Sequence, residues 1–182
     1  MYFGAAPRIY NRPYAIAAEV TIPDADIAGG AADGILASHG NRHGGYALMV
    51  QGGRLRHVYN WVGSERFVTT SNEVLTPGDH ELRYEFTPTG APDLRAGKGA
   101  PGTAVLYVDG EPVAATVYPF TTTNRMGPVG FSCGYAAFDT VAPDLYTAPF
   151  RFAGTLHRLT VDLSGEVNPH DEVELRALMT QQ

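Results

Sequence analysis

The chain has 182 residues, 44% hydrophobic and 18% charged, which suits one packed domain and argues against disorder. A formal net charge of −6 disfavours binding to a phosphate backbone, and no stretch approaches the roughly 20 apolar residues of a membrane-spanning helix. The single cysteine, Cys133, excludes an internal disulfide and a multi-cysteine metal site.

Met1-Tyr2-Phe3-Gly4 lacks the basic start and long apolar run of a secretory leader, so a cytoplasmic location is expected. Tyr14 to Ile22 alternates: Ile16, Ala18, Val20 and Ile22 point one way, and Ala17, Glu19 and Thr21 the other. This two-residue period marks a half-buried strand. Gly34 to His39 reads as a short strand. Gly45 to Gln51 and Arg54 to Val62 read as hairpin arms around Gly52-Gly53, a pair free to adopt the positive φ that a two-residue turn needs. Arg66 to Thr70 follows. His80, Leu82, Tyr84 and Phe86 alternate with Glu81, Arg83 and Glu85 in the clearest strand of the sequence. Thr87 to Gly102, rich in glycine and proline, reads as one long exposed loop. Thr103 to Val108 and Pro112 to Tyr118 form a second hairpin around Asp109-Gly110. Pro128 to Tyr135 is a strand, Asp139 to Pro149 an irregular loop, and Thr155 to Leu163 a last strand with Leu159, Val161 and Leu163 inward. Asn168-Pro169 then offers a cap and a first helical residue, with Asp171, Glu172 and Glu174 in the opening turns. The expectation is an all-β antiparallel sandwich over residues 1–165, closed by a short C-terminal helix over 166–182.

Chemistry is sparse. Cys133 falls on a strand, where a lone cysteine reads as a small core residue. No motif pairs a serine with a histidine and an acid. His39 and His43 have the spacing of a helical zinc pair, but Gly40, Gly44 and Gly45 favour a turn. Asp139 and Asp144, with intervening carbonyls, would supply part of the oxygen set that calcium needs; Asp24 and Asp26 are a weaker pair. Solvated loop acids are the plainer reading of both. Tyr46, Tyr59 and Trp61 suggest a sugar platform, yet alternate aromatics in a sandwich usually fill its core. By alternation Arg54, Arg56 and Asn60 lie on the face opposite Tyr59 and Trp61. Arg56, Asn60 and His43 are therefore the candidate glycan ligands outside the core.

Several segments resemble, in order, the C-terminal region of large bacterial arylsulfatases. They are Asn11 to Val20, Gly52 to Asn60, Leu106 to Gly110, Ala148 to Thr155 and Glu174 to Leu178. The resemblance implies a concanavalin-A-like or laminin-G-like jelly roll that docks on a sulfatase catalytic domain or on a second copy of itself. It does not carry the activity over. Maturation of a sulfatase nucleophile requires proline two residues and arginine four residues after the cysteine or serine; Cys133 is followed there by Tyr135 and Ala137. The expected role is a non-catalytic accessory module. The rival is a lectin-like glycan-binding module, with or without calcium.

Overall fold

The computed structural model describes residues 6–24, 32–123, 130–136 and 139–163. The strands are β1 (Tyr14–Ile22), β2 (Gly34–Asn41), β3 (Gly44–Gln51), β4 (Arg54–Trp61), β5 (Glu65–Thr70), β6 (Gly78–Pro88), β7 (Lys98–Gly99), β8 (Gly102–Val108), β9 (Glu111–Tyr118), β10 (Thr121–Thr122), β11 (Phe131–Cys133), β12 (Tyr135–Ala136), β13 (Phe150–Arg151) and β14 (Thr155–Asp162). They form a five-stranded sheet, ordered β14-β1-β6-β8-β9, and a larger sheet ordered β12-β13-β2-β3-β4-β5, with β11 also pairing β2. A short ladder joins β7 to β10. Pairing is antiparallel except where β13 meets β2 at Arg151 and Ile35. The C-terminal helix and the boundary at residue 165 lie outside the described residues.

The alternation read in β1 and β6 is realised. Ile16, Ala18 and Val20 from β1 and Leu82, Tyr84 and Phe86 from β6 enter one core with Tyr46, Leu48, Val50, Leu55 and Tyr59 of the larger sheet. Burial of each large apolar side chain there contributes about 1.5–3 kcal/mol. This core also holds His57, fully buried, with its ring stacked 3.6 Å from that of Tyr84. His57 Nδ1 lies 3.0 Å from the Tyr118 hydroxyl, which also meets Thr69 Oγ1 at 3.2 Å. Burial pushes the His57 pKa down to about 3, so the ring is neutral near pH 7.

The hairpins form where glycine permits. Gly52 and Gly53 sit at φ of 58° and 68°, and both amides donate to the Asp33 carboxylate. Two expectations need correction. The stretch after Thr87 is not wholly an exposed loop: Lys98 and Gly99 pair with Thr122 and Thr121, and Ala100 is buried with its amide donating to Asn11 Oδ1 at 2.9 Å. Cys133 is exposed, not core. Its strand lasts three residues, Phe131 takes the buried position, and Gly134 at φ 72° turns the chain away.

Candidate functional site

The two sheets have outer faces of different character. On the larger sheet the chain between β12 and β13 lies across β2, β3 and β4. Val141, Ala142 and Tyr146 pack there on Ile35, Ala47, Met49 and Val58, forming a second small core. Turn hydrogen bonds hold this strap in shape: the amides of Leu145 and Tyr146 donate to the Ala142 carbonyl, and the Val141 amide donates to the Tyr146 hydroxyl at 3.0 Å.

Most of the residues singled out in the sequence lie here, beside or beneath the strap. Asn60 is 1% exposed. Its Nδ2 donates to the carbonyls of Val141 at 2.8 Å and Arg42 at 3.0 Å, and its Oδ1 accepts from the Gly63 amide at 2.9 Å. One buried amide thus ties the β2–β3 turn, the β4–β5 turn and the strap together. Arg56 donates to Thr70 Oγ1 and to Gln51 Oε1, while Gln51 donates to the strap carbonyl of Leu145. His43 is exposed in the two-residue β2–β3 turn, which is capped by its own amide donating to Asn41 Oδ1. Asp139 faces Arg42 at 3.9 Å, and Asp144 pairs with Arg66. The two aspartates therefore meet different guanidiniums. Among the described residues no group of three or more His, Cys, Asp or Glu side chains is placed to hold a metal ion.

Nucleophiles are poorly served. Partial burial pushes the Cys133 thiol pKa up, away from the thiolate. Burial lowers His39 despite a backbone hydrogen bond at Gly130. Thr21 Oγ1 stands 2.5 Å from Asp79 Oδ1 and 2.7 Å from His157 Nε2. A carboxylate only accepts, so the single hydroxyl proton goes to Asp79 and His157 must donate. That order is the reverse of a base activating a nucleophile.

The outer face of the five-stranded sheet carries no second core among the described residues. Register places its side chains in rows. Thr160, Ala17, Arg83 and Tyr107 form one; Asp162, Ala15, Glu85 and Val105 form the next. Arg158, Glu19 and Glu81 form a third, with Glu19 and Arg158 paired at 3.3 Å. Ala15 and Ala17 are thus a low floor on β1 between longer polar side chains on β14 and β6. Arg83 pairs with Glu85 and its guanidinium lies over the Tyr107 ring, 5.4 Å from the centroid. At one end the floor opens into a shallow cleft of about 490 Å³ lined by Glu19, Val20, Asp79, His80, Glu81, Asp109 and His157. A bulge between Glu19 and Val20 inserts His157 there. His80 Nδ1 meets Asp109 Oδ2 at 2.7 Å. Burial alone would lower His80; the Asp109 hydrogen bond and the Thr76 carbonyl outweigh it and raise the pKa. Burial likewise opposes, and the His80 and Glu81 hydrogen bonds produce, a lowered Asp109. Sequence reasoning missed this face as a site, although the alternation of β1 and β6 already laid out its rows.

In sequence the chain matches no protein-family model and no curated protein. Its fold is similar to that of mouse laminin alpha1 chain, domains LG4-5, with a TM-score of 0.62 and 14% identity, over 88% of this chain and 38% of that one. It is also similar to the Ruminococcus gnavus IT-sialidase CBM40, with a TM-score of 0.56 and 15% identity, over 92% of this chain and 83% of that one. That module has been solved bound to α2,3-sialyllactose. The fold is a β-sandwich of the laminin-G-like kind. Nothing in these comparisons ties the chain to an arylsulfatase.

Proposed function

We propose that the chain is a glycan-binding β-sandwich module that performs no covalent chemistry, and that its binding surface is the outer face of the five-stranded sheet. The carrying observation is the alanine floor of Ala15 and Ala17 between polar side chains on both neighbouring strands. A sugar ring needs a low floor to approach and flanking donors and acceptors to orient its hydroxyls. The fold likeness to a sialidase carbohydrate-binding module supports the class of partner. Charge narrows it. Glu19, Asp79, Glu81, Glu85 and Asp162 outnumber Arg83 and Arg158 on this face, so a neutral glycan is favoured over a sialylated one.

Calorimetry with lactose and α2,3-sialyllactose, followed by a glycan array, tests this. Lactose-type glycans should bind more tightly than their sialylated counterparts. Ala17→Trp, which fills the floor, should abolish binding, and His43→Ala should not. Absence of any glycan binding, or binding indifferent to Ala17→Trp, overturns the proposal. Binding lost with a chelator and with Asp144→Ala, but kept in Ala17→Trp, would assign the ligand to the strap rim and to calcium instead.

The sequence resemblance to arylsulfatase C-terminal regions supports a second element of the reading, that such a module works beside a catalytic domain. Sulfate-ester hydrolysis by the pure chain, followed with p-nitrophenyl sulfate, should be absent. Turnover that tracks the protein through purification would refute the non-catalytic role.

A further inference from the structure

Among aspartyl peptide bonds, Asp-Gly rearranges most readily, because glycine puts no side chain in the path of its amide nitrogen toward the aspartyl carboxyl. The chain has two such bonds, Asp33-Gly34 and Asp109-Gly110, and no Asn-Gly. The fold treats them differently. Gly34 is buried in β2 opposite Val50, and a Cβ added to it would stand 2.2 Å from Phe152 Cα. Both Asp33 carboxylate oxygens accept from turn amides, and the Asp33 carbonyl accepts from the Ala153 amide at 2.9 Å. That backbone is packed and bonded on every side. Asp109 and Gly110 are instead both exposed, at φ of 52° and 85°, the positive values that a type I′ turn requires. Nothing lies within 4 Å of where a Gly110 Cβ would stand. Two contacts hold the Asp109 carboxylate: Oδ1 accepts from the Glu81 amide at 2.9 Å, and Oδ2 accepts from His80 Nδ1 at 2.7 Å. His80 Nε2 lies 2.8 Å from the Thr76 carbonyl. Both ring nitrogens thus face groups that only accept, which is the arrangement of an imidazolium.

We propose that Asp109-Gly110 is the bond at which the folded chain converts to isoaspartate, and that His80 is the restraint that sets how fast. In this rearrangement the Gly110 nitrogen bonds to Asp109 Cγ and the carboxyl C–O bond breaks. The hydroxyl leaves with the amide proton as one water. A second water then opens the succinimide. Entry at Cγ restores aspartate; entry at the former Asp109 carbonyl carbon leaves the chain running through Cβ and Cγ. Water lost equals water gained, so no oxidant or co-reactant is needed. The carboxyl must be protonated and free to turn toward Gly110, because an ionised oxygen is no leaving group. His80 opposes both requirements. Its charge keeps the carboxylate ionised, and its hydrogen bond, with that of Glu81, holds both oxygens toward β6. The product carries its carboxylate on Cα and one more atom in the backbone of the turn. A two-residue turn sets Val108 opposite Glu111, and the longer one breaks that match. Asp109 also lines the cleft beside the alanine floor, so the cleft wall changes with the turn.

Ageing the purified chain in neutral buffer, below its melting temperature, tests this. Electron-transfer mass spectrometry of the peptides distinguishes the two products of equal mass. Isoaspartate should accumulate at Asp109 and stay at background at Asp33. In urea both bonds should convert at similar rates, since only the fold separates them. His80→Gln keeps a donor but loses the charge, and should convert severalfold faster at Asp109 with no change at Asp33. Asp33 reports on folding, because a variant that had merely loosened would convert at both bonds. Equal conversion at the two bonds in the folded wild type, an unchanged rate in His80→Gln, or a rise at Asp33 alongside Asp109 overturns the proposal. These readouts need no glycan, so they stand apart from the fate of the binding proposal.

Discussion

The two outer faces of this sandwich use polar side chains in opposite ways. On the larger sheet Asn60, Arg56 and Gln51 turn to backbone carbonyls or to one another, and a loop with its own apolar core lies over them. On the five-stranded sheet the acids and arginines pair along the surface, and no apolar layer among the described residues lies over the half-buried Ala15 and Ala17 between them. An asparagine or arginine beside a sheet is thus no guide to ligand binding until the covering layer is known. Substitutions under the strap should cost stability, and substitutions on the open face should cost affinity.

The largest expected effect tests the covered face. Asn60→Ala leaves the Val141 and Arg42 carbonyls and the Gly63 amide without their partner, and should lower the unfolding free energy by about 3 kcal/mol in urea titrations. A loss below about 0.5 kcal/mol would show that the strap does not depend on this clamp. A second effect belongs to the layer between the faces. His57 has a pKa of about 3 when folded against 6.5 ordinarily, so between these values the unfolded chain binds a proton that the folded chain refuses. Stability should therefore begin to fall as pH drops through 6.5 and stop falling below about 3, with a slope approaching roughly 1.4 kcal/mol per pH unit within that window. His39, also lowered, acts with the same sign. His57→Phe should remove most of the slope, because Tyr118 keeps Thr69 as a partner. An unchanged slope in thermal melts would exclude His57 as its source.

Smaller effects belong to the open face. The raised His80 pKa gives stability that is full below 6.5 and lost as pH rises through the folded value; the lowered Asp109 pKa gives stability that is lost as pH falls through its own folded value. The pair should therefore contribute most between the two, and His80→Gln should cost less than about 1 kcal/mol there. Melts of this variant at pH 5 and pH 9 should approach the wild type most closely at the higher pH. Thr160→Val, at the lip of the floor, should leave stability within about 0.5 kcal/mol and weaken glycan binding severalfold. A change in stability without a change in affinity would reverse the assignment of the two faces.

The strands were legible because their signals are local. Alternation fixed the inward sets of β1, β6 and β14, and Gly52-Gly53 and Asp109-Gly110 fixed two hairpins. The strap was not legible, because residues 139–149 have no period and their contacts are with strands nearly 100 residues earlier. One signal did exist: Ala47 to Val50 is apolar without interruption, the pattern of a strand covered on both sides. Alternation also placed Arg56 and Asn60 on the correct face but could not show what covers it. The position of His157 beside Thr21 depends on a bulge, which slips the register by one residue with no marker in the sequence.

The position of β1 has a consequence for how the molecule is made. It lies between β6 and β14, and Ala15 meets Asp162 across the ladder. Among the described strands β1 is synthesised earliest and β14 latest, so β1 waits for β14 before its second edge is closed. Contacts so distant along the chain slow folding toward the millisecond-to-second range. During synthesis β1 stands as an open edge rich in alanine and isoleucine, which makes the nascent chain more vulnerable to misassociation than the finished one.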